Sequence, residues 1–112
     1  MATQTANLTA NATNTLVATL NKKHRWPNNQ VGIHAHGSFG SGTLTFNYSL
    51  DGGTTKVSLK KNDTAISWTA SDSVNWDSPL SSGEQAIEIY ATLSGATSPD
   101  IDLKFIDQNI GN

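Results

Sequence analysis

The sequence contains no cysteine, and Arg25 is the one arginine among its 112 residues. The absence of cysteine excludes disulfide scaffolds, thiolate metal sites and cysteine nucleophiles. Charged residues make up only 14% of the chain and the formal net charge is -2, so no basic surface is available to hold nucleic acid. No hydrophobic run reaches the length of a transmembrane segment. We therefore expect a chain that binds neither nucleic acid nor a membrane.

The segment from Met1 to Thr15 lacks basic residues and apolar runs, so we expect no secretory signal. It is built mainly from Ala, Thr and Asn, which bury little surface. We expect an extended amino-terminal arm over residues 1–15 and a single domain over residues 16–112. Because an unpaired extended segment can complete a sheet edge, the arm is a candidate for strand addition onto a neighbour.

Small polar residues dominate the composition, and Ser, Thr, Asn and Gly supply 46 of the 112 residues. Ser, Thr and Asn compete with the backbone for hydrogen bonds in helix interiors, whereas β-branched threonine suits a pleated strand. Segment 31–36 alternates apolar residues with glycine and histidine, the period of a half-buried strand. The sequence predicts an all-β fold, an antiparallel β-sandwich or jelly roll of about seven to eight short strands.

The clearest local unit is segment 42–59, in which two alternating runs flank Asp51, Gly52 and Gly53. An Asp-Gly pair in this setting predicts a hairpin, because the turn needs a positive φ that glycine adopts at little cost. The expected core consists of Leu44, Phe46, Tyr48, Val57, Leu59, Trp68, Ile87, Ile89, Leu103 and Phe105.

His34 and His36 are two residues apart, so both imidazoles leave the same face of a strand. Such a pair holds zinc only when further ligands converge on it. The alternative is a polar pair on a solvent or interface face, and we favour an interface. We expect no catalytic, cofactor-binding or metal-binding residue, since no activated serine elbow or phosphate-binding loop is present.

The tryptophans allow two interpretations. Exposed Trp26 and Trp76 could stack on sugar rings, or they could seal loop ends and subunit contacts, which we favour. The predicted contact residues are Leu8, Trp26, His34, His36 and Trp76.

The turn in the hairpin resembles an Asp-box, the S-x-D-x-G-x-T-W motif of sialidases and other β-proteins. Ser49, Asp51, Gly53 and Thr55 match this pattern, while Lys56 stands where the family has Trp. The motif is structural in that family, and it implies a turn here. Sialidases carry several such boxes and three arginines, so one box and one arginine exclude that activity.

The whole phrase GTLTFNYSLDGGTTKVSL also resembles hairpins of small bacteriophage structural proteins. The resemblance implies a virion protein, either a capsid decoration (cement) protein or a related tail or adaptor component. Our leading hypothesis is a decoration protein, assembled in the host cytoplasm, that binds the major capsid protein or another virion protein and stabilises the shell. We also expect a homo-oligomer, with a trimer favoured. The alternatives are a tail, neck or fibre adaptor, a carbohydrate-binding β-sandwich module, and, least favoured, a metal-dependent enzyme using His34 and His36.

Overall fold

The computed structural model describes residues 2–20, 30–77 and 87–107, which form an all-β structure without helices. The strands are β1 (Ala2–Leu8), β2 (Ala12–Leu20), β3 (Gln30–Ser38), β4 (Thr43–Ser49), β5 (Val57–Ser58), β6 (Lys60–Lys61), β7 (Thr64–Ala65), β8 (Ser67–Trp68), β9 (Asp72–Asp77), β10 (Ile87–Ser94) and β11 (Asp100–Asp107). The predicted all-β class is confirmed. Across these three ranges, no helix is long and apolar enough to cross a membrane.

The strands pair antiparallel in two main sheets. Sheet A has the order β1-β11-β3-β9, and sheet B has the order β2-β10-β4-β5, with β8 also paired to β4. A separate hairpin joins β6 to β7. Consecutive long strands lie in opposite sheets, so most neighbours within a sheet are distant in sequence and local patterns cannot reveal the strand order.

A single apolar core fills the space between the two sheets. The ring of Phe46, from sheet B, packs edge-on against Phe105 of sheet A at a centroid distance of 6.1 Å. It also meets Trp68 at 5.6 Å and 78°. Edge-to-face ring pairs of this kind add about 0.5–1.5 kcal/mol each to the gain from burial. The aromatic cluster therefore fastens one sheet to the other.

The core prediction is confirmed for eight of its ten residues, and Tyr48 is partly buried against the same core. The core prediction was wrong for Val57, because 45% of its surface is exposed. Val57 lies in β5, a strand of only two residues, and pairs with Tyr48 of β4. This pairing confirms the predicted hairpin. Burial resumes at Leu59, whose backbone N–H donates to the carbonyl of Phe46.

Strand β2 is irregular. A regular strand would place Leu16 on one face with Ala18 and Leu20, yet Leu16 is 49% exposed while Val17 is buried. Ala18 pairs with Ile89, and Leu16 pairs with the very next residue of β10. An extra residue in one strand is a β-bulge, and it moves the side chains beyond it to the other face.

Within the expected arm over residues 1–15, the described residues 2–8 form an edge strand of sheet A. All seven residues of β1 pair with β11 in continuous register, and the buried side chain of Leu8 joins the core. Strand β2 starts at Ala12 and crosses the expected boundary at residue 15. Distant pairing with the end of the chain supplies the contacts that the composition of the segment did not reveal.

Candidate functional site

Six exposed side chains line the outer surface of sheet A and form its most distinctive polar area. Alternation along β3 buries Ile33 and Ala35 and turns both histidines outward. The register places His34 opposite Lys104 and His36 opposite Asp102. On the other side of β11, strand β1 places Thr5 opposite Lys104 and Asn7 opposite Asp102. We call this surface the His face, and it comprises Thr5, Asn7, His34, His36, Asp102 and Lys104.

The His face surrounds a depression of about 790 Å³ on three adjacent strands. Its lining consists of Thr5, Ala6, Asn7, His34, His36, Asp102, Leu103, Lys104 and Ile106. The register of β1, β11 and β3 shows no shift across this area, so the positions of the lining residues are set by a continuous hydrogen-bonded sheet. The backbone under this surface is already ordered, so it has little freedom to lose when a partner binds.

Asn7 organises the acidic side of the depression. Its amide nitrogen donates to the carboxylates of Asp102 at 2.8 Å and Asp100 at 3.0 Å, and to the carbonyl of Ile101 at 3.2 Å. One amide group therefore holds two carboxylates, and that of Asp102 lines the depression. The hydrogen bond from Asn7 restrains the position of the Asp102 carboxylate.

The basic side of the depression is free of such restraint. Within the part of the chain that the structure describes, Lys104, His34 and His36 take part in no ion pair. Lysine supplies three donors, and a neutral imidazole supplies one donor and one acceptor. The depression thus presents unpaired nitrogens beside oriented carboxylates, an arrangement suited to a polar partner of mixed charge.

Metal binding by the histidine pair gains no support from the surrounding residues. The described ranges contain no group of three or more His, Asp or Glu side chains placed to hold a metal ion. Zinc sites need at least three protein ligands, and the neighbours of the histidines across the strand are Lys104 and the amide-bound Asp102.

The backbone edge of β1 borders the His face. The strand ATQTANL contains no charged residue, no proline and no glycine. It pairs with β11 on one side, and on its other side no described strand of sheet A follows. Such an edge carries unpaired N–H and C=O groups that can accept another strand.

The neighbouring edge of β2 is closed by a side chain from β1. The carboxamide oxygen of Gln4 accepts the backbone N–H of Thr19 at 2.9 Å, and its nitrogen donates to the carbonyl of the same residue. The glutamine amide therefore pairs with the Thr19 peptide as a further strand would. Asn11 does the same with the N–H and the carbonyl of Ala96, at 2.9 and 3.0 Å.

The predicted contact residues differ in exposure. His34 and His36 are exposed together on the His face, as the strand period predicted. Leu8 and Trp76 are only 6% and 3% exposed, and Trp76 packs against Tyr48 at a ring distance of 5.2 Å. Both therefore serve the chain's own core and offer no contact surface in this fold. Trp26 lies outside the described residues.

Four residues of the His face were not among the predicted contact residues, namely Thr5, Asn7, Asp102 and Lys104. The alternation of segment 100–107 predicts that Asp102 and Lys104 face outward, and that signal was visible. No local signal shows that this strand lies beside the histidines, because the pairing joins residues about 70 positions apart.

The turn after β4 forms a second polar cluster, and its groups are engaged in holding the turn. Ser49 Oγ accepts the N–H of Gly53 at 2.9 Å and donates to Asp51 Oδ1 at 2.7 Å. The N–H of Thr55 also donates to that carboxylate at 2.9 Å. These hydrogen bonds, above all the one from Thr55, lower the pKa of Asp51 to about 2. The arrangement is a structural turn with no reacting group left free.

Tyr90 extends this second cluster across sheet B. Its hydroxyl donates to Glu88 at 2.8 Å, and this hydrogen bond raises the pKa of the tyrosine. The ammonium of Lys56 lies 4.9 Å from the ring centroid and donates to the carbonyl of Gly53. Because each of these groups already has a partner, the His face is the better candidate site.

Comparison of the chain with protein-family models, with curated proteins and with solved structures gives no match. The His face, the edge of β1 and the hairpin resemblance are therefore the features that bear on function.

Proposed function

We propose that this chain is a non-enzymatic virion structural protein, a bacteriophage capsid decoration protein that binds and stabilises the shell. The observation that supports binding most directly is the His face, with its unpaired basic groups and its oriented carboxylates around one depression. The hairpin resemblance supports the virion context.

The geometry of the His face suits attachment to a protein surface. Lys104 and the two histidines are available as donors, and they stand one strand apart on a regular sheet. A capsid surface offers carboxylates and backbone carbonyls that such donors can bind. A decoration protein acts in many copies, so a modest affinity at each site is sufficient to reinforce the whole shell.

The first test is mass spectrometry of purified particles from the virus that encodes this chain. We expect the chain to be present at a copy number comparable to that of the major capsid protein. Its absence from particles would overturn the proposal. A copy number of a few per particle would identify a tail, neck or fibre adaptor in place of a decoration protein.

A matched pair of charge reversals then tests the surface itself. Lys104→Glu changes the centre of the His face, whereas Lys60→Glu changes an exposed lysine on the short β6–β7 hairpin. Both variants lower the net charge by the same amount. We expect particles to lose the Lys104→Glu protein and to keep the Lys60→Glu protein. Equal retention of both variants would show that attachment uses another surface.

The carbohydrate-binding alternative loses one of its two candidate stacking platforms, because Trp76 is buried against Tyr48. A sugar that binds without Trp76 would have to use other residues, and a fluorescence titration with a Trp26→Phe variant as control would detect stacking on Trp26.

A further inference from the structure

Three edges of the two sheets carry features that prevent pairing with another chain. Natural β-proteins protect their edges with charged side chains, bulges or very short strands. Strand β9 carries Asp72 and Asp77, and Asp77 binds Gln30 at 3.0 Å and Lys61 at 3.3 Å. Strand β2 has two register shifts, and β5 and β8 are two residues long.

Strand β1 lacks all of these protections. It is seven residues long and uncharged, and its register with β11 runs without a shift from Ala2 to Leu8. The side chain of Gln4 is turned toward Thr19 of β2, so it closes the neighbouring edge and leaves the β1 edge uncovered. In the described part of the chain, β1 is therefore the edge best suited to receive a strand.

We infer that β1 pairs antiparallel with β1 of a second copy, about a two-fold axis at Thr5. This register uses all seven residues, because Thr5 is the central position of the strand. The two copies would then share one continuous eight-stranded sheet built from both A sheets. A two-fold contact uses the same edge of both copies and closes on itself, so it produces a dimer without further growth.

The side chains of β1 are compatible with this register. Thr5 lies opposite its own copy, and Thr-Thr pairs are favourable across antiparallel strands. The strand contains no charged residue, so no like charges meet across the contact. The lysines at position 104 stand three strand spacings apart, about 14 Å. Repulsion over that distance is largely screened at physiological salt, where the Debye length is about 8 Å.

The pairing would also place the two His faces side by side. Thr5 and Asn7 line both the edge and the depression, so the dimer would join two depressions across the axis. This inference does not depend on a virion location, because it concerns the purified chain alone. Its failure would leave capsid attachment through the His face untouched.

Light scattering after size exclusion tests the dimer with a matched pair of variants. Thr5→Lys places two lysines opposite each other at the axis, whereas Ser73→Lys adds the same charge to β9 at the far side of the same sheet. We expect the wild type and Ser73→Lys to show twice the 11.9 kDa chain mass. We expect Thr5→Lys to show the single chain mass with an unchanged circular dichroism spectrum.

A cysteine cross-link tests the register directly, because the natural chain has no other thiol. Directly opposite residues of an antiparallel pair have Cα atoms about 4.5–5.5 Å apart, within the range that a disulfide spans. Thr5→Cys should form a covalent dimer under mild oxidation, and Ser73→Cys should not.

The outcomes separate clearly. A wild-type monomer at all concentrations, a trimer, or a dimer that survives Thr5→Lys would overturn the inference. Equal cross-linking of the two cysteine variants would also contradict it, since that result indicates random collision. Loss of the dimer only in Thr5→Lys, together with selective cross-linking at position 5, would establish the β1 contact and its register.

Discussion

The two sheets of this sandwich contain the same kinds of small polar residues, but their strand pairing differs in regularity. Sheet A keeps one register across all four strands, and its polar side chains point outward. Sheet B contains two register shifts along β2 and ends in two-residue strands. Thr, Ser and Asp side chains of this sheet and its turn accept backbone N–H groups, as Thr92 Oγ1 does from Asn14 and Ser49 Oγ does from Gly53. Sheet A is therefore free to present a surface, whereas sheet B uses its polar groups internally.

The two sheets differ in how their polar side chains are used. Ser, Thr and Asn can bind the nearby backbone or remain available at a surface. In sheet B such side chains bind the backbone: Ser49 Oγ accepts the N–H of Gly53 in its own turn, and Thr92 Oγ1 accepts the N–H of Asn14 on the neighbouring strand. In sheet A the regular ladder satisfies the backbone first, so Lys104 and the histidines are left for a partner.

The largest expected effect comes from removing the ring that joins the two sheets. Phe46→Ala should lower the free energy of unfolding by about 3–5 kcal/mol, because it creates a cavity in the core. Phe105→Ala should cost less, since Phe105 loses one ring contact and Phe46 loses two. Urea denaturation of both variants measures the difference. An equal or larger loss for Phe105→Ala would contradict this account of the core.

Asn14 provides a test of the irregular strand. Its φ of 48° is left-handed, and its side chain accepts from Asn47 at 2.8 Å. Asn14→Ala should destabilise the fold by about 1–2 kcal/mol, because a left-handed alanine is strained. Asn14→Gly keeps the backbone conformation and removes only the side chain, so it should cost less. Thermal unfolding of the pair measures the two contributions, and a larger loss in the glycine variant would show that backbone strain is unimportant here.

Variants of Gln4 test whether its side-chain hydrogen bonds protect the edge of β2. Gln4→Ala removes both hydrogen bonds to the Thr19 peptide and should lower stability by roughly 1 kcal/mol. Gln4→Glu keeps the acceptor, loses the donor and places a carboxylate beside a carbonyl, so it should not restore stability. Denaturation with urea reports stability. Hydrogen exchange at the Thr19 amide reports the edge, and unchanged exchange in Gln4→Ala would contradict the closing role.

The smallest effect concerns acid stability of the turn after β4. The folded-state pKa of Asp51 is lowered from 3.8 to about 2, so its charged form is favoured by folding. This contribution is fully present above pH 4 and is lost as the pH falls through about 2. Asp51→Asn should therefore be less stable than the wild type at pH 6, and the gap should narrow toward pH 2. A constant gap over this range would show that the carboxylate charge does not matter.

The sequence predicted those parts of the fold that depend on neighbouring residues. The period of β3 placed both histidines outward, and the glycines after Asp51 indicated the hairpin. The period of two did not predict the buried face of β2, because the bulge at Val17 moves every side chain beyond it to the other face of the strand. The composition of the segment gives no sign of that extra residue. The burial of Leu8 and Trp76 depends on strands far away in the chain and was missed for that reason.

The all-β class, the outward histidines and the absence of cysteine chemistry follow from residue type and a period of two, so each could be predicted without a structure. The placement of Lys104, Asp102 and Asn7 beside the histidines, and the edge position of β1, became visible only in the fold. Both arise because β11 pairs with β1 and with β3, two strands far from it in sequence. Local preference cannot encode such pairing, because the free energy that selects it comes from burying one core shared by both sheets.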